Sequence, residues 1–227
     1  IRKFYADGKT GFSQVRFEST PSTRYKTGDY GNAIAVDSDG SLYVAGKTYG
    51  YWEGNNWGSS DAYLIKTDSN GSMTWARNLS FKFLNYNMDE AHAIDIDSDG
   101  SIYVVGDTTA GVKGHSGTDS GGFWNAFITK FDSNGNELWE EVIGHGGAQY
   151  GRAVLAAQNG SIYIAYYSNS PSGTHLAKYN SNGVEQWSTG IGQHGDQLSL
   201  AEGLDGSIYL AGRASGDLHG QTHNGGY

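Results

Sequence analysis

The chain has 227 residues, no cysteine and a formal net charge of −9 at pH 7. The lack of cysteine excludes disulfide bonds and thiol chemistry. The acidic balance and the lack of any basic cluster argue against nucleic acid as a partner. No apolar run approaches the roughly 18 residues of a membrane span, so no membrane insertion is expected.

The residue composition favours an all-β protein. Glycine occurs 35 times and proline twice, and no stretch resembles a long amphipathic helix. This combination is typical of many short strands joined by turns. Because the chain starts at Ile1 rather than Met, we also expect it to be a processed form or a fragment of something longer.

The first twelve residues introduce a spacing that recurs along the chain. Lys3 is followed by a glycine five residues later, Gly8, and by an aromatic residue four beyond that, Phe12. Complete copies, with tryptophan in the aromatic position, occupy residues 66–75, 130–139 and 178–187. Each complete copy has Asn-Gly at its centre, which predicts a tight turn between two strands.

A second hairpin motif alternates with the first. Residues 37–46 read Asp-Ser-Asp-Gly-Ser-Leu-Tyr-Val-Ala-Gly, and related segments have their pivot glycines at 100, 160 and 206. The residues after each glycine alternate with period two, as expected for a half-buried strand.

One unit therefore contains two hairpins, or four strands, which is the content of one propeller blade. We predict an all-β fold, a β-propeller of four-stranded blades with about four blades present. The chain is interpreted as one domain, 1–227, with units at approximately 28–79, 88–143, 149–189, and 196–227 plus 1–17. The two ends are in phase, which predicts closure of four blades by pairing of the N- and C-terminal strands. A fragment of a larger ring is the alternative.

The repeat pattern resembles a bacterial β-propeller repeat family, often called seven-bladed propeller repeats. The resemblance is carried by Ala-Ile-Ala-Val-Asp-Ser-Asp-Gly-Ser-Leu-Tyr-Val-Ala-Gly at 33–46, by residues 61–66 and 68–71, and by Trp75. The third unit departs from the pattern at Gln158 and at His175. The resemblance implies a propeller in an exported or cell-surface protein and implies no particular reaction.

The longer connections are expected on one face of the propeller, where variable loops usually carry function. Several of them contain aromatic residues beside amides and carboxylates, a combination suited to stacking on sugar rings and binding hydroxyl groups. The candidate ligand-binding residues are Tyr51, Trp52, Asn56, Trp57, Phe123, Trp124 and Tyr150. The alternative is that these rings pack the loops onto the blades.

A calcium site is a second hypothesis. Asp95, Asp97 and Asp99 precede Gly100 in an Asp-x-Asp-x-Asp-Gly pattern, which resembles the start of an oxygen-rich calcium loop. The full triplet occurs once in the chain, and a hairpin turn with aspartates at its corners explains the same residues. Apart from calcium, no cofactor is expected.

No catalytic residue is assigned, because the chain has no nucleophile elbow and no paired metal-ligand spacing. Adjacent carboxylates such as Asp89 and Glu90 are interpreted as solvated charges. An enzymatic alternative, a polysaccharide lyase or hydrolase, would require two or more basic residues to converge with a carboxylate at the channel mouth. The candidates are His92, His145, Arg152 and His194.

The leading functional hypothesis is a non-catalytic binding or adhesion module in an extracellular or cell-surface protein of bacterial type. Its expected partner is a carbohydrate or a cell-surface protein. A structural component of a surface assembly is a further alternative.

Overall fold

The computed structural model describes residues 1–12, 28–50, 58–79, 87–109, 124–143, 147–192 and 197–213. Every regular element in these ranges is a β-strand, which confirms the predicted all-β class. The same ranges hold no helix long and apolar enough to cross a bilayer.

Three four-stranded antiparallel units, here called the first, second and third blades, form most of the structure. The first blade contains β3 (Asp29–Val36), β4 (Leu42–Thr48), β5 (Gly58–Thr67) and β6 (Met73–Leu79). The second contains β7 (Asn87–Ile96), β8 (Ile102–Thr108), β9 (Asn125–Phe131) and β10 (Glu137–Ile143). The third contains β11 (Gln149–Ala156), β12 (Ile162–Asn169), β13 (Ser172–Tyr179) and β14 (Glu185–Gly192).

Two hairpins flank these blades. The N-terminal hairpin pairs β1 (Lys3–Phe4) with β2 (Thr10–Phe12), and the C-terminal hairpin pairs β15 (Leu198–Glu202) with β16 (Ile208–Gly212). They form separate two-stranded sheets, so the predicted closing pair between them is not among the strand pairs of the described residues. Closure and the number of blades therefore stay predictions.

The first two blades are joined by backbone pairing. β5 and β7 run parallel where Gly58 lies opposite Asn87 and Ser60 lies opposite Met88. These contacts merge β3–β10 into one hydrogen-bonded sheet, whereas the third blade forms its own sheet.

The pivot glycines adopt the backbone conformation that their sequence context predicts. Gly40, Gly100, Gly160 and Gly206 have φ between 75° and 83°, in the left-handed region that glycine enters without steric cost. In the first of these turns, Gly40 donates its N–H to the Asp37 carbonyl at 2.9 Å and Asp39 accepts the Ser41 N–H at 2.7 Å.

The hydrophobic core lies between neighbouring blades. One cluster joins residues of the first and second blades, including Tyr43, Leu64 and Phe127, and a second cluster joins the second and third blades. All seven residues of β8 are buried, because this strand lies between the two clusters.

Tryptophan rings fix the outer part of each junction. Trp75 lies over the turn glycine of the second blade, Gly135, and Trp139 lies over the equivalent Gly183 of the third. Trp139 also donates its indole N–H to the Ser181 carbonyl at 3.0 Å. A side chain at either glycine would therefore displace a buried ring face.

We predict that Gly183→Ala destabilises the chain more than Gly160→Ala does. Both glycines have positive φ, but a Cβ at Gly183 would lie 2.9 Å from Trp139 whereas a Cβ at Gly160 would meet nothing within 4 Å. Overpacking of this kind costs about 1–3 kcal/mol beyond the shared backbone strain. Urea unfolding of both variants measures the difference, and equal losses of stability would contradict the proposed ring contact.

Candidate binding site at the loop end of the inner strands

The innermost strand of each blade carries a β-bulge at the same position. The pairing register shifts between Gly31 and Ala33 in β3, and the equivalent shifts in β7 and β11 leave His92 and Arg152 as the extra residues. Bulges redirect side chains and are common beside functional sites. The three bulged residues, Asn32, His92 and Arg152, are all polar.

Close approach of the backbones accompanies the bulges in the first two blades. A Cβ at Gly46 would lie 1.8 Å from the Tyr30 carbonyl oxygen, and one at Gly106 would lie 2.0 Å from the Glu90 carbonyl oxygen. Only glycine fits these two positions, whereas the bulge of the third blade has Tyr166 at the equivalent position.

Glu90 links the first two blades. It accepts hydrogen bonds from Lys47 Nζ at 2.8 Å and from Asn32 Nδ2 at 3.0 Å. Burial acts to raise the pKa of Glu90, but the Lys47 hydrogen bond, the nearby His92 and Asn32 outweigh it and hold the pKa below its ordinary value. Burial likewise opposes the charge of Lys47, but its contact with Glu90 raises the Lys47 pKa.

Asp107 links the second and third blades. Its carboxylate is 4% exposed and accepts two hydrogen bonds from Arg152 Nη1, at 2.8 and 3.1 Å, and one from the Gly151 N–H at 2.8 Å. His92 Nε2 lies 2.9 Å from the same carboxylate. Two of the bulged residues therefore converge on one buried acid.

A row of aromatic rings continues from Arg152. The guanidinium lies over the Tyr150 ring at 5.1 Å, Tyr150 stacks on Tyr167 with centroids 6.0 Å apart, and Trp124 lies 6.5 Å from Tyr150 on the loop side. The three rings are half-buried, so they are held in place and still partly exposed to solvent.

The first blade has a related arrangement. Lys47 lies 5.4 Å from the centre of the Tyr30 ring and 5.9 Å from that of Tyr49, and the two rings meet edge to face at 6.2 Å. Aromatic faces beside fixed hydrogen-bonding groups can bind a ligand that has both an apolar face and hydroxyl groups.

The structure brings together two of the seven predicted ligand-binding residues, Trp124 and Tyr150. The predicted residues Tyr51, Trp52, Asn56, Trp57 and Phe123 lie outside the described residues. Their contribution to the site therefore stays a prediction.

The three aspartates of the calcium hypothesis bind the backbone. Asp95 accepts the Ile96 N–H and, across the junction, the Ala156 N–H at 2.8 Å, while Asp97 and Asp99 accept N–H groups of their own turn. Burial raises the pKa of Asp95, whereas bonds to Ser101 lower that of Asp99. The described ranges contain no group of three acidic, histidine or cysteine side chains able to hold a metal, so calcium binding stays a prediction.

Two features of this site were missed from the sequence. Asp107 was not singled out, and Asp89 and Glu90 were interpreted as solvated charges. In the structure Asp89 is 1% exposed and accepts a hydrogen bond from Thr108, and Glu90 is held by Lys47 and Asn32. Neighbouring residues do face opposite sides of the strand here, because the bulge lies after Glu90, but side chains contact this strand on both sides.

The blades and their repeated turns define a β-propeller repeat protein. Residues 25–51 match the family model of the SBBP beta-propeller repeat, which confirms the predicted resemblance to a bacterial β-propeller repeat family.

Two further similarities were found. The regulatory protein FlaEY of Caulobacter vibrioides is 34% identical over 115 residues, which cover 47% of this chain and 12% of that much longer protein. A crystal structure of a GH43_12 retrieved from a capybara gut metagenome has a TM-score of 0.45 and 16% identity, covering 82% of this chain and 37% of that chain. A similarity this distant gives no argument about function.

We predict that Glu90→Gln removes an acid-sensitive part of the stability. The pKa of Glu90 is lowered from 4.5 in the folded state, so its contribution is present above that value and is lost as pH falls through the folded pKa. The variant should be about 1 kcal/mol less stable at neutral pH, and the difference should vanish in acid. Chemical denaturation across pH measures this, with the exposed Glu141→Gln as control. A difference that is independent of pH would contradict the assignment.

We predict that Asp107→Ala is strongly destabilising, by about 2–4 kcal/mol, because it leaves the Arg152 guanidinium and the Gly151 N–H without their acceptor. Asp7→Ala removes the partner of an exposed ion pair with Lys9 and should change stability little. Urea unfolding compares the two variants, and similar small losses would show that the Asp107 cluster does not hold the blades together.

Proposed function

We propose that the chain is a non-catalytic binding module of an exported bacterial protein and that the loop end of its blades binds a carbohydrate. The observation that carries the proposal is the half-buried row of Trp124, Tyr150 and Tyr167 beside the Arg152–Asp107 ion pair.

The chemistry of this surface matches that of a sugar. The CH groups of a pyranose ring stack on aromatic faces, while its hydroxyl groups need donors and acceptors at fixed positions. Arg152 is itself held by Asp107 and Tyr150, so it presents its remaining N–H groups with little loss of side-chain entropy on binding. In this proposal the loop residues Tyr51, Trp52, Asn56, Trp57 and Phe123 extend the same surface.

The electrostatics favour binding over glycoside hydrolysis. Hydrolysis needs one carboxylic acid that stays protonated near neutral pH. Glu90 does not match this requirement, because its pKa is lowered. The oxygens of Asp107 already accept hydrogen bonds from Arg152 and from the Gly151 N–H. Asp95, a described carboxyl whose pKa is raised by burial, lies at the opposite end of β7, beside the hairpin turn.

An enzymatic function is the second candidate, because His92 and Arg152 do converge on a carboxylate, Asp107. This function requires His92 to exchange protons with a substrate. It predicts that His92→Gln abolishes turnover of a polysaccharide while leaving its binding intact.

A glycan-array screen of the purified chain, with calcium and with a chelator, tests the leading proposal. A specific glycan that binds in both conditions supports it. If the chelator abolishes binding, recognition of the glycan would depend on a bound metal ion. A blank array in both conditions would overturn carbohydrate binding and favour a cell-surface protein as the partner.

We predict that Tyr150→Ala weakens binding of the selected glycan at least tenfold, or about 1.4 kcal/mol, because it removes the central ring of the aromatic row. Tyr209→Ala is the matched control, since Tyr209 is exposed on β16 outside this row. Calorimetric titration of both variants, after thermal unfolding has shown that they are folded, gives the result. Equal affinities would remove Tyr150 from the binding site.

A further inference from the structure

A cavity of about 330 Å³ lies at the turn end of the inner strands, at the opposite end of these strands from the Asp107 cluster. It is lined by equivalent segments of the three blades, residues 36–38, 96–98 and 156–158, where each inner strand enters its Asp-Gly or Asn-Gly turn. The cavity is therefore separate from the proposed carbohydrate site and shares no residue with it.

The cavity lies where the third unit departs from the repeat. The first two blades contribute Val-Asp-Ser and Ile-Asp-Ser to the lining, whereas the third contributes Ala-Ala-Gln. Methyl groups at Ala156 and Ala157 thus replace a branched apolar side chain and a carboxylate. The wall that the third blade provides is correspondingly shallower than the walls of the other two blades.

Hydrogen bonds hold the backbone of this shallow wall on two sides. The Ala156 N–H donates to Asp95 of the second blade at 2.8 Å. The Gln158 N–H donates to Glu202 of the C-terminal hairpin at 2.9 Å. The wall is therefore in place before a ligand binds, which lowers the entropic cost of binding.

Two carboxylates face the cavity, and each has one oxygen left for a ligand. Asp37 Oδ1 accepts the Ser38 N–H at 2.6 Å and the Ser38 hydroxyl at 3.2 Å. Asp97 Oδ1 accepts the same two groups of Ser98. Within the described ranges, no protein donor binds the Oδ2 oxygen of either aspartate.

The negative charge of these carboxylates is not balanced within the cavity. None of its nine lining residues is basic. Lys66 and Lys130 of the same two blades are bound instead to carbonyls of the outer turns. Burial raises the pKa of Asp95 beside the cavity, and the charge of Asp97 adds to this effect, as expected where no cation lies nearby.

We propose that this cavity binds a cation on a short aliphatic stem, either a primary ammonium or a guanidinium group. The stem contacts Val36, Ile96 and Ala156, and the cation donates charge-assisted hydrogen bonds to the Oδ2 oxygens of Asp37 and Asp97. The volume is at the lower end of the range for ligand pockets, which suits a single basic side chain or a small amine. The lining has no aromatic ring, so it offers no stacking surface for a sugar.

Titration of the purified chain, followed by amide NMR signals at constant ionic strength, tests the proposal. The probes are butylamine, putrescine and a terminally blocked tripeptide with lysine at its centre, and butanol is the uncharged control. We expect the amines to shift the signals of Ser38, Ser98 and Gln158, and butanol to leave them unchanged.

The same titrations distinguish two sources of the cation. Binding of the free amines without the tripeptide would identify a small amine as the ligand. Equal or tighter binding of the tripeptide would identify a basic side chain of a protein partner. Both results support the proposal, whereas no shift with any amine, or equal shifts with butanol, would overturn it.

Removal of one carboxylate tests its role. Asp97→Asn should weaken butylamine binding at least tenfold, while Asp132→Asn, with the same loss of charge in the outer turn of the second blade, should leave it unchanged. The inner turn does not need the carboxylate, because Gly160 donates to the Ala157 carbonyl at 2.9 Å, as Gly100 does to that of Asp97. Equal affinities of the two variants would exclude Asp97 from the site and overturn the proposal.

Filling the cavity gives an independent test that leaves both carboxylates in place. Ala156→Ile introduces the side chain that the second blade has at the equivalent position, Ile96, and keeps the N–H that binds Asp95. Butylamine binding should again fall at least tenfold, with thermal unfolding as the check that the variant is folded. Binding as tight as that of the unmodified chain would show that the amines bind elsewhere and would overturn the proposal.

Discussion

An indole ring lying over a bare glycine backbone is the contact on which the outer part of each junction depends. Trp75 and Trp139 reach the next blade only because Gly135 and Gly183 have no side chain, and both glycines also need the left-handed conformation that closes their own turn. Each of these glycines therefore provides the backbone conformation of its turn and also leaves room for the indole ring. Each tryptophan also contacts a buried tyrosine ring of its own blade, with centroids 5.9 Å apart for Trp75 and Tyr43 and 6.1 Å apart for Trp139 and Tyr103. These tyrosines belong to the hydrophobic core.

At the inner strands, blades are joined by charge instead of aromatic packing. Bulges direct Asn32, His92 and Arg152 out of the regular strand alternation, and these side chains meet Glu90 and Asp107. Because these side chains form hydrogen bonds with one another, they hold the loop end of the blades in a fixed geometry. A ligand that binds there meets a surface that has already been ordered, which lowers the entropic cost of recognition.

The sequence was sufficient to predict what depends on local chemistry. The turn glycines, the strand pairs that they connect and the family resemblance all follow from short motifs such as Asn-Gly and Asp-Gly. The Asp107 cluster could not be found in this way, since it joins residues from two blades that lie 44 and 45 positions apart in the chain. The sequence did contain a signal for this cluster. In each complete unit a polar residue precedes an alanine, at Ala33, Ala93 and Ala153, near a glycine whose position has no room for a Cβ, namely Gly46, Gly106 or Gly151.

The short parallel pairing of β5 with β7 has a consequence for how the chain comes apart. Hydrogen bonds between Gly58–Ser60 and Asn87–Met88 make the first two blades one continuous sheet. The third blade forms its own sheet and is joined to the second through side chains, through the Ala156 N–H, which donates to Asp95, and through the Gln149 N–H, which donates to the Trp124 carbonyl. Opening the first blade therefore breaks its backbone hydrogen bonds to the second, so we expect these two blades to open together. The third blade can separate from the second while its own strand pairs stay intact, so we expect local unfolding to begin at the boundary between these two blades.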